Sequence, residues 1–132
     1  MNEIIECIKR VEKELGNYYK ENIYQFALYT ELNLSGYLVQ SEVIVPIFYK
    51  GVYVGFERAD LVVYNKEGKI EYILELKSQG TRVGSKEIVQ LKKYLKNLSC
   101  NNGILVNFHD SLEIVHVTQE TSQKILRDSF HL

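Results

Sequence analysis

In the run Tyr72-Ile-Leu-Glu-Leu-Lys-Ser78 a carboxylate and an ammonium stand two residues apart inside an apolar strand pattern. Side chains alternate faces along a strand, so Ile73, Glu75 and Lys77 share one face and Tyr72, Leu74 and Leu76 the other. Either that face turns to water towards its end, or the two charges form a site. A second acid bears on the choice. A turn centred between Glu67 and Gly68 places Asp60 directly opposite Glu75 in an antiparallel hairpin, with Cβ atoms about 4.5–5.5 Å apart. Like charges so placed destabilise a sheet unless something positive sits between them. Hard divalent cations such as Mg²⁺ are held by one or two carboxylates plus substrate phosphate, so the pair is a candidate metal site. The argument depends on the register, since a slip of one residue moves Asp60 to the other face.

Lys77 has two readings beside such a pair. It either neutralises the acids as an internal salt bridge, or orients an attacking water and counters charge on a phosphate. Gln90 and Tyr94 lie four apart and are neighbours on one helix face; they are a polar flank with a half-buried tyrosine, or a pair reaching towards a phosphate. Glu21 and Tyr24 share a face of an earlier helix, where the helix dipole alone accounts for an acid near the start. From Lys77 to Lys96 six cations stand against one acid. Of these, Arg82, Lys86 and Lys93 are the candidates for contact with a nucleic-acid backbone, although a solvated helix face is an equal reading. His109 and His116 lack a third ligand at close spacing and are read as a loop and a strand residue. Most of the ten tyrosines fall in strand patterns, where aromatics are expected.

The elements that must position these groups follow from periodicity. Ile4, Ile5, Ile8, Val11 and Leu15 recur at helical spacing over about residues 2–15, and Gly16-Asn17 is a stop. A second helix over about 20–35 is expected to bury Ile23, Phe26, Ala27 and Leu34. Residues 37–49 are β-rich, with Pro46 marking an edge or a bulge. Lys50-Gly51 turns into strands 54–64 and 70–77. A flexible link, 78–85, leads to a helix capped by Ser85 and running to about Asn97, with Ile88, Leu91 and Leu95 buried. Strands 104–108 and 112–117 follow, and a last helix is expected from about Gln119. The order ααβββαββα, with one crossover helix, describes an α+β fold with a mixed sheet.

Bulk properties narrow the class. With 132 residues, 45% hydrophobic and 25% charged, the chain suits one domain spanning 1–132. A net charge of −1 argues against coating nucleic acid by charge alone. No apolar run approaches the roughly 20 residues needed to span a bilayer, so no membrane partner is expected. The amino terminus, charged throughout, does not look like a secretory signal, which favours an intracellular protein. Cys7 and Cys100 are read as free thiols.

Taken in order, Asp60, Glu75-Leu76-Lys77 and Gln90-x-x-x-Tyr94 resemble the motifs of PD-(D/E)xK nucleases, including the QxxxY element of RecB-like exonucleases. More narrowly, the chain resembles the small GxxExxY proteins of that superfamily. The similarity is carried by GNYYKENIYQFAL, PIFYKGVYVGFERADLVV, YILELKS, IVQLKKYL and GILVNF, from about Leu15 to Phe108. Tyr18 stands where that family has glycine, so Glu21 and Tyr24 are what is kept of GxxExxY, and Gly16 matches an upstream glycine. The "PD" pair is Ala59-Asp60. The resemblance implies a restriction-endonuclease-like core, a mixed central sheet flanked by helices. It implies Mg²⁺ or Mn²⁺ held by Asp60, Glu75 and the backbone carbonyl of Leu76, with Glu21 completing the acidic cluster directly or through water. Lys77 would position the water, and Gln90 and Tyr94 the phosphate or the metal's water shell.

The reaction so implied is phosphodiester hydrolysis in nucleic acid, DNA ahead of RNA, by metal-activated water. The alternative is a catalytically silent module that keeps the fold to bind nucleic acid or a partner protein. The small size and near-zero charge suggest a homo-oligomer or a protein partner to help grip the substrate.

Overall fold

The computed structural model describes residues 1–127. Two helices, α1 (Asn2–Leu15) and α2 (Glu21–Leu34), precede strands β1 (Leu38–Tyr49), β2 (Val52–Tyr64) and β3 (Ile70–Lys77). Helix α3 (Ser85–Asn97) then leads to β4 (Gly103–Asn107), β5 (Glu113–Val117) and β6 (Ser122–Arg127). The six strands form one sheet in the order β1-β2-β3-β4-β5-β6. All neighbours are antiparallel except β3 and β4, which run parallel because α3 is the crossover between them. This is a mixed sheet with helices on its faces, the α+β arrangement expected from the pattern of elements.

Two cores lie on opposite faces of the sheet. Ile4, Ile8, Tyr24, Leu28 and Leu32 of α1 and α2 pack on Leu61, Leu74, Leu76, Ile104 and Val106. Leu91, Tyr94 and Leu95 of α3 pack on Val62, Ile73, Leu105 and Val115. Gly103 lets α3 come close, since a Cβ there would fall 2.9 Å from a Leu91 methyl.

Four expectations are corrected. The segment after Gln119 is not a helix but β6, paired antiparallel with β5; an edge partner for an otherwise exposed strand outweighs weak helical spacing, and residues 128–132 lie outside those described. Helix α2 buries Tyr24, Leu28 and Leu32 rather than Ile23, Phe26 and Leu34, which are exposed. Apolar residues surround that helix, so periodicity could not choose its inner face. The cap of α3 is Gly84, whose N–H donates to the Glu87 carboxylate at 2.7 Å, and Ser85 is already helical. Segment 78–84 is no flexible link, as its pinned backbone below shows.

Candidate active site

Beside the acids the hairpin register is the one the sequence suggested, with Leu61 opposite Leu74 and Val62 opposite Ile73; nearer the turn Tyr64 faces Ile70, and a shift between Val63 and Tyr64 makes up the one-residue difference. The backbone ladder between β2 and β3 stops at Leu61–Leu74. At the next position the side chains of Asp60 and Glu75 take over. The Asp60 N–H donates to Glu75 Oε1 at 2.8 Å, and the Leu76 N–H donates to Asp60 Oδ2 at 2.8 Å. Each carboxylate thus satisfies a backbone donor on the opposing strand and keeps its other oxygen without a partner among the described residues. Glu75 is only 6% exposed.

The strand geometry that opens this seam is local. Ala59 and Leu61, two apart, should share a face, yet Ala59 joins the α3 core and Leu61 the α1/α2 core. Across the β1–β2 ladder the position facing Asp60 is Glu42, at φ +55°, where pairing is interrupted between Ser41–Leu61 and Val43–Ala59. A left-handed non-glycine residue in a strand is strained, and it marks where the facing of β1 and β2 reverses. Asp60 sits at this reversal.

Burial pushes both carboxyls up. For Glu75 desolvation leads and repulsion from Asp60 adds to it, against the Asp60 N–H and the charge of Lys77. For Asp60 desolvation leads, the Leu76 N–H opposes, and Glu21 and Glu42 add repulsion. Lys77, half-buried at the end of β3, lowers both through its charge but forms no ion pair with either among the described residues. The internal salt bridge is therefore not made. Two desolvated acids with open oxygens, short of positive charge, are a donor set that fits a hard divalent cation.

Glu21 opens α2, and its own carboxyl is raised, first by desolvation, with Lys77 opposing and Glu42 adding. It is close enough to be felt by Asp60 and Glu75. Among the described residues, however, no three Asp, Glu, His or Cys side chains converge on one metal position. Glu21 stands near the pair without closing on it. Tyr24 serves structure: its hydroxyl donates to the Gly16 carbonyl at 2.6 Å and accepts from the Tyr19 N–H, and its ring stacks on Phe108 at 4.3 Å. Tyr18, before this helix, has φ +74°. Tyr18 holds that conformation with a 2.6 Å hydrogen bond to Asp110 and an edge contact with His109.

On the other face, α3 brings Gln90 and Tyr94 to the seam. The Gln90 amide donates to the Tyr94 hydroxyl at 3.0 Å. Tyr94 is fully packed rather than at the stripe's edge. Burial, then the nearness of Glu75, raises its pKa, so the phenol keeps its proton to donate. Lys86 and Lys93 share a cleft of about 420 Å³ with Gln90 and Glu57. Arg82 is not brought to it, and lines a separate polar cleft with His109 and Ser111.

Sequence reasoning missed three groups. Glu42 is held by Gln25, whose amide donates to Glu42 Oε2 at 2.7 Å and to the Asp60 carbonyl at 3.2 Å. The Lys50-Gly51 turn would have placed Glu42 beside Asp60 to within one residue. Asn107, buried, accepts from the Gln79 N–H and donates to the carbonyls of Gln79 and Thr81. Glu113, also buried, accepts from the Val83 N–H at 3.0 Å and pairs with Lys124 at 2.8 Å. These last two fix the segment joining Lys77 to α3, and no short-range signal announces them.

A family model described as the PD-(D/E)XK nuclease superfamily matches residues 1–118. Among solved structures, the crystal structure of SSO0001 is similar, with a TM-score of 0.60 and 25% identity over 74% of this chain. The chain spans half the length of that protein. No curated protein matches.

Proposed function

The chain belongs to the PD-(D/E)XK nuclease superfamily, and from that premise we propose that it is a divalent-cation-dependent nuclease acting inside the cell on nucleic acid, DNA first. The observation that carries this reading is the Asp60–Glu75 seam, where each acid commits one oxygen to a backbone amide and leaves the other open. Asp60, Glu75 and the carbonyl of Leu76 are the groups to hold Mg²⁺ or Mn²⁺, with Glu21 joining them directly or through water. A cation bound there would supply positive charge to the phosphate and to the attacking water.

The remaining work falls to the chain's own groups. Lys77, without an ion pair among the described residues, orients the attacking water and donates to a phosphate oxygen. Tyr94 accepts from Gln90 and keeps its own O–H to donate to a phosphate. Lys86 and Lys93 run beside Gln90 and meet the backbone of the substrate. Arg82, in its own cleft, meets the strand further along. A second copy or a protein partner adds grip that a net charge of −1 does not provide.

The test is incubation of single- and double-stranded DNA and RNA with the protein and Mg²⁺ or Mn²⁺, beside Glu75→Ala and Lys77→Ala. Cation-dependent cleavage that falls at least ~10²-fold in both variants is expected. Cleavage surviving in both variants would overturn the reading. So would the absence of cleavage with no cation binding by calorimetry, whereas nucleic-acid binding without cleavage would assign the silent module.

A further inference from the structure

Beyond Leu61, β2 loses β3 as a partner, and β1 and β2 continue as a two-stranded ribbon to the Lys50-Gly51 turn. Such a ribbon is marginal unless a face is covered. One face is covered, since Val45 and Ala59 are buried in the α3 core. The opposite face is not. The register aligns Ile44 with Arg58, Pro46 with Phe56 and Phe48 with Tyr53. Ile44, Phe48, Tyr53 and Phe56 are 53%, 61%, 55% and 46% exposed. Phe48 and Tyr53 meet edge-on at 6.0 Å, and the Arg58 guanidinium lies 5.3 Å from the Phe56 ring centre.

We propose that this outward face of the ribbon is the surface on which two copies of the chain associate. With about half of each large side chain open, the face offers on the order of 500 Å² of apolar surface. Two copies face to face would bury roughly 1,000 Å², the lower bound for a specific interface. Aromatic rings with a single arginine are the composition of an interface centre. Nucleic acid fits it less well: from Val43 to Ala59 the ribbon's charges are Lys50, Glu57 and Arg58, too few cations to neutralise a run of phosphates. Association by the strand edge is also disfavoured. Pro46 removes a donor from the middle of β1, and the register shift between Ile47 and Phe48 bends the ribbon beside it. A two-fold axis would set the patch against itself, with the ribbons about 10 Å apart.

The inference rests on the ribbon and not on the nuclease reading. It is tested by sedimentation velocity from low-micromolar to near-millimolar protein, with wild type, Phe48→Lys/Phe56→Lys and, as a control off the ribbon, Phe26→Lys. A concentration-dependent dimer in wild type and in the Phe26 variant, lost in the ribbon variant with unchanged circular dichroism, is expected. Should the double variant lose its circular dichroism, Phe56→Ser alone is expected to weaken the dimer at least tenfold. A wild type that stays monomeric throughout overturns the proposal, as does a dimer that survives in a folded ribbon variant. A monomeric wild type whose DNA binding is lost in the ribbon variant would overturn it in favour of nucleic acid.

Discussion

Glu75 and Glu113 are both buried glutamates, 6% and 3% exposed, on β3 and β5 with β4 between them. Both accept a backbone N–H, from Asp60 and Val83 respectively. They differ in what meets the second oxygen. Glu113 has Lys124 at 2.8 Å. Glu75 has a second carboxylate alongside and Lys77 at a distance, and its pKa rises in consequence. A buried acid with its cation supplied from within is part of the framework, because removing either partner strands a charge. A buried acid lacking one is held in place by the rest of the fold, and its second oxygen is left for the cation proposed above.

Exchanging the two acids for amides should separate these roles. Glu75→Gln is expected to reduce Mn²⁺ affinity, read by calorimetry, by about 10²-fold or more, while the cation-free melting temperature stays level or rises. A fall in melting temperature without loss of Mn²⁺ binding would make Glu75 another Glu113. Glu113→Gln should do the reverse. It leaves Lys124 and the Val83 amide poorly matched at a half-open site, with a loss of about 1–3 kcal/mol in denaturant unfolding and little change in Mn²⁺ affinity.

The smallest effect concerns pH. Asp60 and Glu75 titrate above the ordinary carboxylate range, so they bind more protons in the fold than in the unfolded chain. Their contribution to stability is complete below about pH 4 and is lost as pH rises through their folded pKa values towards neutrality and beyond. With chelator present, the melting temperature should therefore decline by several degrees across that window. Glu75→Gln should flatten the decline, and saturating Mn²⁺ should do the same in wild type. A profile that rises with pH instead would mean that the seam is already neutralised.

What could be read from the sequence depended on how far apart the partners are. The Asp60–Glu75 opposition follows from one short loop, Asn65 to Lys69, to within one residue; the shift between Val63 and Tyr64 that brings the acids level has no signature in the sequence. Gln90 and Tyr94 follow from helical spacing alone. Lys77 was placed correctly beside the acids, but whether it paired with them needed distances. Glu42 lies one strand further out, beyond a ribbon whose register shifts near Phe48, and its φ reversal has no signature in residue type. Asn107 and Glu113 reach Gln79 and Val83 across 28 and 30 residues, beyond any local pattern. The inner face of α2 was misread because Ile23, Phe26 and Leu34 are as apolar as the residues it buries. The left-handed backbone of Tyr18, φ +74°, is held by its bond to Asp110, again a partner far away in sequence.

The bond from Val83 to Glu113 also has a kinetic meaning. It ties the start of α3 to a strand made thirty residues later, and closing so long a loop is slow relative to forming either element. Helix α3 rests directly on Val62 and Ile73 of the hairpin, and the Val83–Glu113 bond adds a clasp from a distant part of the chain. Gln90 and Tyr94 are thus held over Glu75 by one local layer of packing and one contact that raises the contact order of the site.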